Sequence, residues 1–240
     1  LYLDGVSVSF DGFRAINNLS LVLLKGEMRA IIGPNGAGKT SLFLSACGVL
    51  APTIGTIRLC GAEVRAGRYH PEVGLVFQNS DDQLFSPTVR EDVAFGPINS
   101  GLDANAVAER VREALELTGS QHLAERVPHH LSGGEKRMVA IATVLAMNPG
   151  LVLYDEPDAN LDVRSRRRLV EFLRRAPHTL ILASHNLALI LEVCDRVVVM
   201  DAGQIVADGP AQRIMATRAL MEAHGLERTY PLVKDTPAAD

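Results

Sequence analysis

The segment from Gly33 to Thr40 constrains the fold of this chain more than any other part of the sequence. It reads Gly-Pro-Asn-Gly-Ala-Gly-Lys-Thr and fits the phosphate-binding pattern Gly-x-x-x-x-Gly-Lys-[Ser/Thr]. A short apolar run precedes it at 29–32, and a helix-like segment follows it at 41–50. This is the strand–loop–helix context that the pattern requires, so the sequence predicts a nucleoside triphosphate site at this loop.

The residues of this loop suit a phosphate for physical reasons. We expect its three glycines to adopt positive φ and to let the backbone approach the phosphates without obstruction from a Cβ atom. Successive N–H groups and the dipole of the following helix would then attract the anion. Lys39 can reach the β- and γ-phosphates, and the Thr40 hydroxyl is offered to Mg²⁺. The predicted nucleotide-binding residues here are Gly33, Asn35, Gly36, Ala37, Gly38, Lys39, Thr40 and Ser41.

Composition and charge exclude several classes of protein. The formal net charge of −4 provides no basic footprint, so we expect no nucleic-acid partner. No apolar stretch approaches the ~18 residues that a membrane-spanning helix needs. The cysteines, Cys47, Cys60 and Cys194, have no metal-binding spacing and favour a reducing cytosol. A role at a membrane would therefore be exerted from its cytoplasmic face through a partner.

The hydrophobic pattern alternates between strand-like and helix-like segments, which predicts a mainly parallel sheet with covering helices. Strands are predicted at 3–10, 19–24, 28–32, 55–59, 73–77, 151–154, 179–183 and 196–200, with 204–207 returning as an antiparallel hairpin. The pattern from about 89 to 147 is helical, with Asp103 as the N-cap of a helix that ends at Leu117. Further helices are predicted at 136–146, 164–174 and 187–193.

Two later motifs narrow the interpretation. Residues 131–135 read Leu-Ser-Gly-Gly-Glu, and residues 151–156 read Leu-Val-Leu-Tyr-Asp-Glu. Together with the phosphate loop, and in this order, they resemble the motifs of ATP-binding cassette (ABC) ATPases over residues 1–224. The resemblance implies an α/β ABC ATPase fold with an N-terminal antiparallel β-subdomain and an inserted helical subdomain at about 89–147. Residues 225–240 would form a C-terminal tail.

The resemblance also implies roles in ATP hydrolysis. Asp155, at the carboxyl end of the Walker B strand, would hold Mg²⁺, and Glu156 would take a proton from the attacking water. Gln78 would be the Q-loop glutamine, which binds Mg²⁺ and senses the γ-phosphate; a plain polar residue at a strand end is the alternative. His185 would be the switch histidine that contacts the γ-phosphate, although alone it would read as an ordinary loop histidine.

Other site residues follow from the same resemblance. Ser132, Gly133 and Gly134 lie at a predicted helix N-terminus, which suits an anion, and would contact the γ-phosphate held by a second subunit. Asp162 in the D-loop would organise that interface, although smaller residues are commoner in the family where Asn160 stands.

An aromatic residue would stack on the adenine. Phe10 matches this position best, and Phe13 competes with it. For either residue, packing in the protein core is the alternative.

Residues 77–97 resemble the ATPases of energy-coupling-factor importers, particularly the cobalt and nickel type, although proline is usual where Ser80 stands. In that family this segment borders the groove that receives the membrane T-component. We expect Leu84 and Phe85 to be exposed and rimmed by acidic residues, as at a docking site, with a solvated acidic loop as the alternative. The predicted docking residues are Asp81, Asp82, Gln83, Leu84 and Phe85.

These observations predict an ATPase subunit that uses ATP and Mg²⁺ at the cytoplasmic face of the membrane. Its expected partners are a second ATPase subunit, as a homodimer, the T-component and a membrane substrate-binding component. Cobalt or nickel ions are the predicted cargo. A vitamin importer or another ABC importer is the nearer alternative. A soluble ABC ATPase is disfavoured because the chain has neither a long coiled-coil insertion nor a second cassette.

Overall fold

The computed structural model describes residues 1–10 and 12–226 of the chain. The backbone divides into two units, which are described separately: the first is Leu1–Arg68 with the chain from Ile181 onward, and the second is Tyr69–Leu180. The predicted tail, 225–240, lies outside the described residues from position 227 on. Within the described ranges, every helix is too short or too polar to span a bilayer.

Strands and helices follow one another as the α/β class requires. The strands of the described chain are β1 (Tyr2–Phe10), β2 (Phe13–Val22), β3 (Met28–Ile32), β4 (Ile54–Leu59), β5 (Ala62–Glu63), β6 (Val73–Val76), β7 (Leu151–Asp155), β8 (Thr179–Ala183), β9 (Arg196–Asp201) and β10 (Gln204–Pro210). The α-helices are α1 (Lys39–Ala46), α2 (Val89–Asn99), α3 (Ala104–Leu117), α4 (Gly133–Leu145), α5 (Val163–Arg174), α6 (Leu187–Val193), α7 (Ala211–Ala216) and α8 (Arg218–Ala223). The predicted fold class is confirmed.

The first unit contains the N-terminal antiparallel sheet, in the order β2-β1-β4-β5. Strand β3 pairs in parallel with β9, and β9 pairs antiparallel with β10, as the predicted hairpin requires. Ala202 and Gly203 form its turn with φ of 45° and 76°, the positive values that a tight two-residue hairpin needs. Strands β3 and β9 are apolar and buried almost throughout, which is typical of strands covered on both faces.

The second unit contains the parallel pair β6 and β7 and helices α2 to α5. A Cβ atom at Gly74 would lie 2.3 Å from Cγ1 of Val144, so glycine allows α4 to pack directly on β6. Helices α2, α3 and α4 bury one shared apolar cluster, which includes Val93, Val111 and Val139. This cluster fixes the helical insertion around the signature helix α4.

Side-chain caps decide where the helices of the second unit begin. Asp103 accepts hydrogen bonds from the N–H groups of Asn105 and Ala106, which confirms it as the N-cap of α3. Helix α4 begins at Gly133 rather than at the predicted Lys136, because Ser132 and Glu135 form a capping box. The signature glycines therefore belong to the first turn of the helix.

Candidate functional site

The phosphate loop lies in the first unit, between β3 and α1. Gly36 and Gly38 have positive φ, 81° and 100°, as expected. The expectation is wrong for Gly33, whose φ is not positive. Glycine is needed at position 33 because a Cβ atom there would lie 2.1 Å from the carbonyl oxygen of Met200 in β9.

The β9–β10 hairpin supports the loop from behind. The N–H of Gly203 donates to the carbonyl oxygen of Ala37 at 3.1 Å. A Cβ atom at Gly38 would approach the carbonyl oxygen of Ala15 to 2.4 Å, so β2 also lies close to the loop. The loop conformation therefore depends on residues far from it in sequence, as well as on its own glycines.

Lys39 is the first residue of α1 and is only 6% exposed. Its Nζ donates to the carbonyl oxygens of Gly33 at 2.8 Å and Pro34 at 3.1 Å, which holds the ammonium group against the loop backbone. Thr40 is exposed, and Ser41 is half-buried. Asn35 and Gly36 are exposed, whereas Ala37 is buried. The loop thus offers backbone groups, an ammonium group and hydroxyl groups to an anion.

The aromatic candidates for adenine stacking face each other across the β1–β2 turn. Phe10 pairs with Phe13 in the strand register, and their exposed fractions are 42% and 66%. Core packing therefore accounts for neither residue, and stacking on adenine stays a prediction for both. His185, also in the first unit, directly follows Ser184 after β8 and is exposed.

The Walker B carboxylates lie in the second unit at the end of β7. Every residue of this strand is buried, and Asp155 is 6% exposed. Glu156 follows with a φ of 45°, a left-handed conformation that is uncommon for a residue with a side chain. Such backbone strain persists where the surrounding structure enforces it, and it clusters at functional sites.

Gln78 and Glu156 are brought together by the second unit. Nε2 of Gln78 donates to Oε2 of Glu156 at 2.9 Å. The amide therefore fixes the direction of the Glu156 carboxylate, whose role as a general base stays a prediction. Sequence patterns placed both residues at strand ends, but only the structure shows that they touch.

The signature residues form an exposed helix N-terminus. Ser132 and Gly133 are exposed, and Oγ of Ser132 lies 2.7 Å from Oε2 of Glu135. The hydrogen bonds from Ser132 hold the pKa of the Glu135 carboxyl below its ordinary value. Glu135 is therefore ionised at neutral pH and keeps the first turn of α4 in place.

The signature and the D-loop are packed together. A Cβ atom at Gly134 would lie 2.1 Å from Oγ of Ser165, so only glycine fits against α5. Asp162 is the N-cap of α5 and accepts hydrogen bonds from the N–H and Oγ of Ser165, which lower the pKa of its carboxyl. A cavity of about 420 Å³ opens beside these residues and is also lined by Ser132 and Arg164.

Asn160, in the same D-loop, has a φ of 60°. Asparagine tolerates the left-handed region better than most residues that carry a side chain. This accounts for an amide side chain where the family pattern has smaller residues.

The predicted docking segment differs from expectation at one residue. Leu84 is only 2% exposed and belongs to the apolar cluster of the helical insertion, so the expectation of an exposed Leu84 is wrong. The N–H groups of Phe85 and Ser86 both donate to Oδ1 of Asp92, and this contact with α2 fixes the chain beside Leu84. Phe85 is 62% exposed and meets Phe95 edge to face, with ring centroids 4.9 Å apart.

The remaining polar residues of this segment make contacts within the second unit. Asp81 accepts a hydrogen bond from Lys136 at 2.6 Å, and Asp82 accepts one from Asn79 at 3.1 Å. Gln83 bonds to the backbone N–H of Phe77. These contacts tie the segment to the unit, although Asp81 and Asp82 themselves are exposed to solvent.

Sequence reasoning did not identify Arg137. It is 4% exposed, and its guanidinium group donates to the carbonyl oxygens of Phe77 and Gln78 at 2.6 and 2.5 Å. The sequence offered one signal for a buried arginine: Arg137 directly precedes the apolar run 138–142 in the signature helix.

The described residues contain no group of three or more His, Cys, Asp and Glu side chains that could hold a metal ion. His129 and His130 are exposed in a 3₁₀ turn, Pro128–His130. The side chains predicted for Mg²⁺ offer a hydroxyl, an amide and a carboxylate oxygen, and these hard donors suit that ion.

Comparison with known proteins gives a consistent result. A family described as "ABC transporter" matches residues 16–159. A Synechocystis protein named as a candidate ABC transporter ATP-binding protein is 55% identical over 217 residues, covering 90% of this chain and 76% of the relative. An energy-coupling factor transporter ATP-binding protein of Methanospirillum hungatei is 45% identical over 220 residues, covering 89% of this chain and 79% of the relative.

A solved structure is similar over nearly the whole chain. It is CbiO1 from Clostridium perfringens, described as part of the ABC transporter complex CbiONQ. The two chains are 34% identical with a TM-score of 0.81, and the match covers 92% of each.

Proposed function

Because this chain belongs to the ABC transporter ATPase family, we propose that it is the motor subunit of an energy-coupling-factor importer for cobalt or nickel ions. The observation that carries the proposal is the 45% identity to an energy-coupling factor ATP-binding protein. The likeness to the CbiONQ subunit and the resemblance of residues 77–97 to the cobalt and nickel type support it further.

The proposed chemistry is hydrolysis of the β–γ phosphate bond of ATP by water. Lys39 and the loop N–H groups would bind the phosphates, because they place positive charge and donors around an anion. Glu156 would accept the proton of the attacking water, and His185 would contact the γ-phosphate. One of Phe10 and Phe13 would stack on adenine.

Mg²⁺ would be held by Thr40, Asp155 and Gln78, which supply oxygen ligands. When bound, the ion would neutralise charge on the phosphates. The carboxylate of Asp155 would supply negative charge toward the ion, and the strand end on which it lies is buried.

A second copy of the chain would complete each site. The exposed N-terminus of α4 at Ser132, Gly133 and Gly134 suits the γ-phosphate of ATP bound to the partner copy. The cavity beside it carries Asp162 and Arg164, which would face the interface. ATP would then close two copies around two nucleotides, and hydrolysis would allow them to reopen.

The membrane partner would dock on the exposed aromatic pair Phe85 and Phe95. The two rings are 62% and 51% exposed, and acidic residues Asp81 and Asp82 lie close in sequence. A T-component helix with basic and small residues would suit such a surface, since charge complementarity sets register and the rings supply buried area. The ATPase would then lie at the cytoplasmic face of the membrane beside a substrate-binding component.

Transport in vesicles tests this proposal. The ATPase is coexpressed with a T-component and a substrate-binding component, and ATP-driven uptake of Co²⁺, Ni²⁺ and labelled vitamins is compared. Uptake of either metal ion, lost in a Glu156→Gln chain, is the expected result. Uptake of a vitamin instead would favour the alternative importer, and no assembly with membrane components would contradict both.

A further inference from the structure

Arg137 belongs to the signature helix, but its charge is directed at the loop that carries Gln78. Its two terminal nitrogens donate to the successive carbonyl oxygens of Phe77 and Gln78, at 2.6 and 2.5 Å. The guanidinium group is a planar fork with fixed donor directions, so it can hold two peptide groups in one orientation. Lysine, a single point charge on a flexible stem, cannot do this equally well.

This contact is costly for the protein. Arg137 is 4% exposed, and burial lowers the pKa of its guanidinium group. Its Nε–H is buried without a hydrogen-bond partner among the described residues. Burying a charged group costs free energy, and the next helix positions, Met138 and Val139, are apolar and buried. A charge kept at such a position favours a role beyond stability.

Two other bridges join the same helix to the same loop. Lys136 donates to Asp81 at 2.6 Å. Nε2 of Gln83 donates to the carbonyl oxygen of Ala140 and to Oγ1 of Thr143, both at 3.2 Å. The helix residues concerned, 136, 137, 140 and 143, share one face because they are spaced by about one helical turn. The loop is therefore fixed to the signature helix.

We propose that Arg137 is a positioning residue for ATP hydrolysis, which sets the backbone of Gln78 so that its amide orients Glu156. The contacts run from the Arg137 guanidinium to the Gln78 carbonyl, and from the Gln78 amide to the Glu156 carboxylate at 2.9 Å. The inference rests on the proposed role of Glu156 as general base. It makes the orientation of that base depend on where the signature helix lies.

Steady-state kinetics of the full chain with Mg²⁺ and ATP test the inference. Arg137→Met should lower kcat by about 10-fold or more, because small displacements of a catalytic group are costly. The KM for ATP should stay within about twofold, because no contact with the phosphate loop is removed. Arg137→Lys should recover part of the lost kcat. Arg90→Met is the matched control, since Arg90 is an exposed arginine of the same unit, paired with Glu125; it should leave kcat unchanged.

A double-mutant cycle separates positioning from a structural role. If Arg137 acts through Gln78, then Arg137→Met should lower kcat little further in a Gln78→Ala chain. If the kcat losses of the two single variants multiply in the double variant, the inference is overturned. A normal kcat in Arg137→Met would overturn it as well. If Arg137→Met does not fold, Arg137→Lys gives the same cycle, with a kcat loss expected only when Gln78 is present.

The same measurements distinguish the two proposals. High ATPase activity in Glu156→Gln would refute the role of Glu156 as general base, and with it the positioning role of Arg137. An inactive Glu156→Gln chain beside a fully active Arg137→Met chain would refute the positioning role alone.

Discussion

The hydroxyl of Tyr154 lies 2.9 Å from Nε2 of His178, and the two rings are nearly parallel with centroids 6.0 Å apart. Tyr154 is fully buried in β7, directly before Asp155. Burial lowers the pKa of His178 to about 4, so its ring is neutral at physiological pH and can accept a hydrogen bond from the tyrosine hydroxyl. The contact therefore braces the strand that presents the Walker B carboxylates.

This pair predicts a dependence of stability on pH. The pKa of His178 is about 4 in the folded chain against 6.5 as its ordinary value, so between these values the unfolded chain binds more protons. The contribution of His178 to the free energy of unfolding should therefore be fully present above pH 6.5. It should fall as the pH drops toward 4, at up to about 1.4 kcal/mol per pH unit. Urea denaturation at a series of pH values measures the slope.

His178→Gln is the matched variant, because its amide can still bond to the Tyr154 hydroxyl but does not titrate. The His178→Gln chain should lose less stability than the original chain between pH 6.5 and 4, because the other titratable groups contribute equally to both chains. Equal slopes for the two chains would show that His178 is not held neutral by the fold.

The second prediction concerns the general base. Glu156→Gln keeps the size and shape of the side chain but cannot take a proton, so turnover should fall by about 10²-fold or more. ATP binding should persist, and gel filtration with ATP should show a closed dimer. Lys39→Ala is the contrasting variant, because it removes a phosphate contact; it should bind ATP weakly and give no trapped dimer. Near-normal hydrolysis by Glu156→Gln would contradict the assigned role.

Local patterns predicted those parts of the fold that are governed by neighbouring residues. The bounds of β8 and the cap at Asp103 were predicted correctly, because alternation and capping act within a few residues. Contacts between distant segments could not be predicted in this way. The need for glycine at Gly33 depends on Met200, and the inward position of Leu84 depends on packing in the helical insertion.

The candidate site shows the same division. The family resemblance predicted Gln78 and Glu156 separately, whereas the hydrogen bond between them depends on how two strand ends meet. The contact from Arg137 to the carbonyl groups of Phe77 and Gln78 was missed because a basic residue in a helix is ordinarily solvated, and the apolar run that follows it does not show which distant groups it meets.

The third prediction tests whether the sites are shared between copies. Lys39→Ala disables the phosphate loop, and Ser132→Arg places bulk and positive charge at the signature; each chain should be nearly inactive alone. In a mixed dimer, one site carries both defects and the other carries neither. ATPase activity should therefore return on mixing, if one intact site can turn over. Continued inactivity, with exchange of subunits shown by a tagged copy, would count against either the shared site or turnover by a single intact site.

The fourth prediction tests the packing of the signature against the D-loop. Gly134→Ala should destabilise the chain by about 1–3 kcal/mol and lower ATPase activity, because the added methyl group meets Oγ and Cβ of Ser165 at 2.1 and 2.6 Å. Ser165→Gly opens that space, so the double variant should recover stability relative to Gly134→Ala. Gly133→Ala is the control for stability alone, because a Cβ atom there has no neighbour within 4 Å among the described residues. Failure of Ser165→Gly to compensate would show that the close contact is not the cause.

The fifth prediction separates docking from folding in the segment that precedes α2. Phe85 and Phe95 are exposed, so replacing both with alanine should leave the melting temperature of the isolated ATPase almost unchanged. A docked partner would bury both rings, and each large apolar side chain contributes about 1.5–3 kcal/mol on burial. The double variant should therefore bind ATP normally yet fail to co-elute with the T-component.

Leu84→Ala should give the opposite result, because Leu84 is 2% exposed in the apolar cluster. Removing its side chain should cost about 2–5 kcal/mol of folding stability, while the molecules that remain folded should still assemble. Thermal unfolding and co-elution, measured on the same preparations, distinguish the two effects. If the phenylalanine variants assemble normally, the docking surface lies elsewhere; if only Leu84→Ala abolishes assembly without loss of stability, the side chain must leave the cluster to meet the partner.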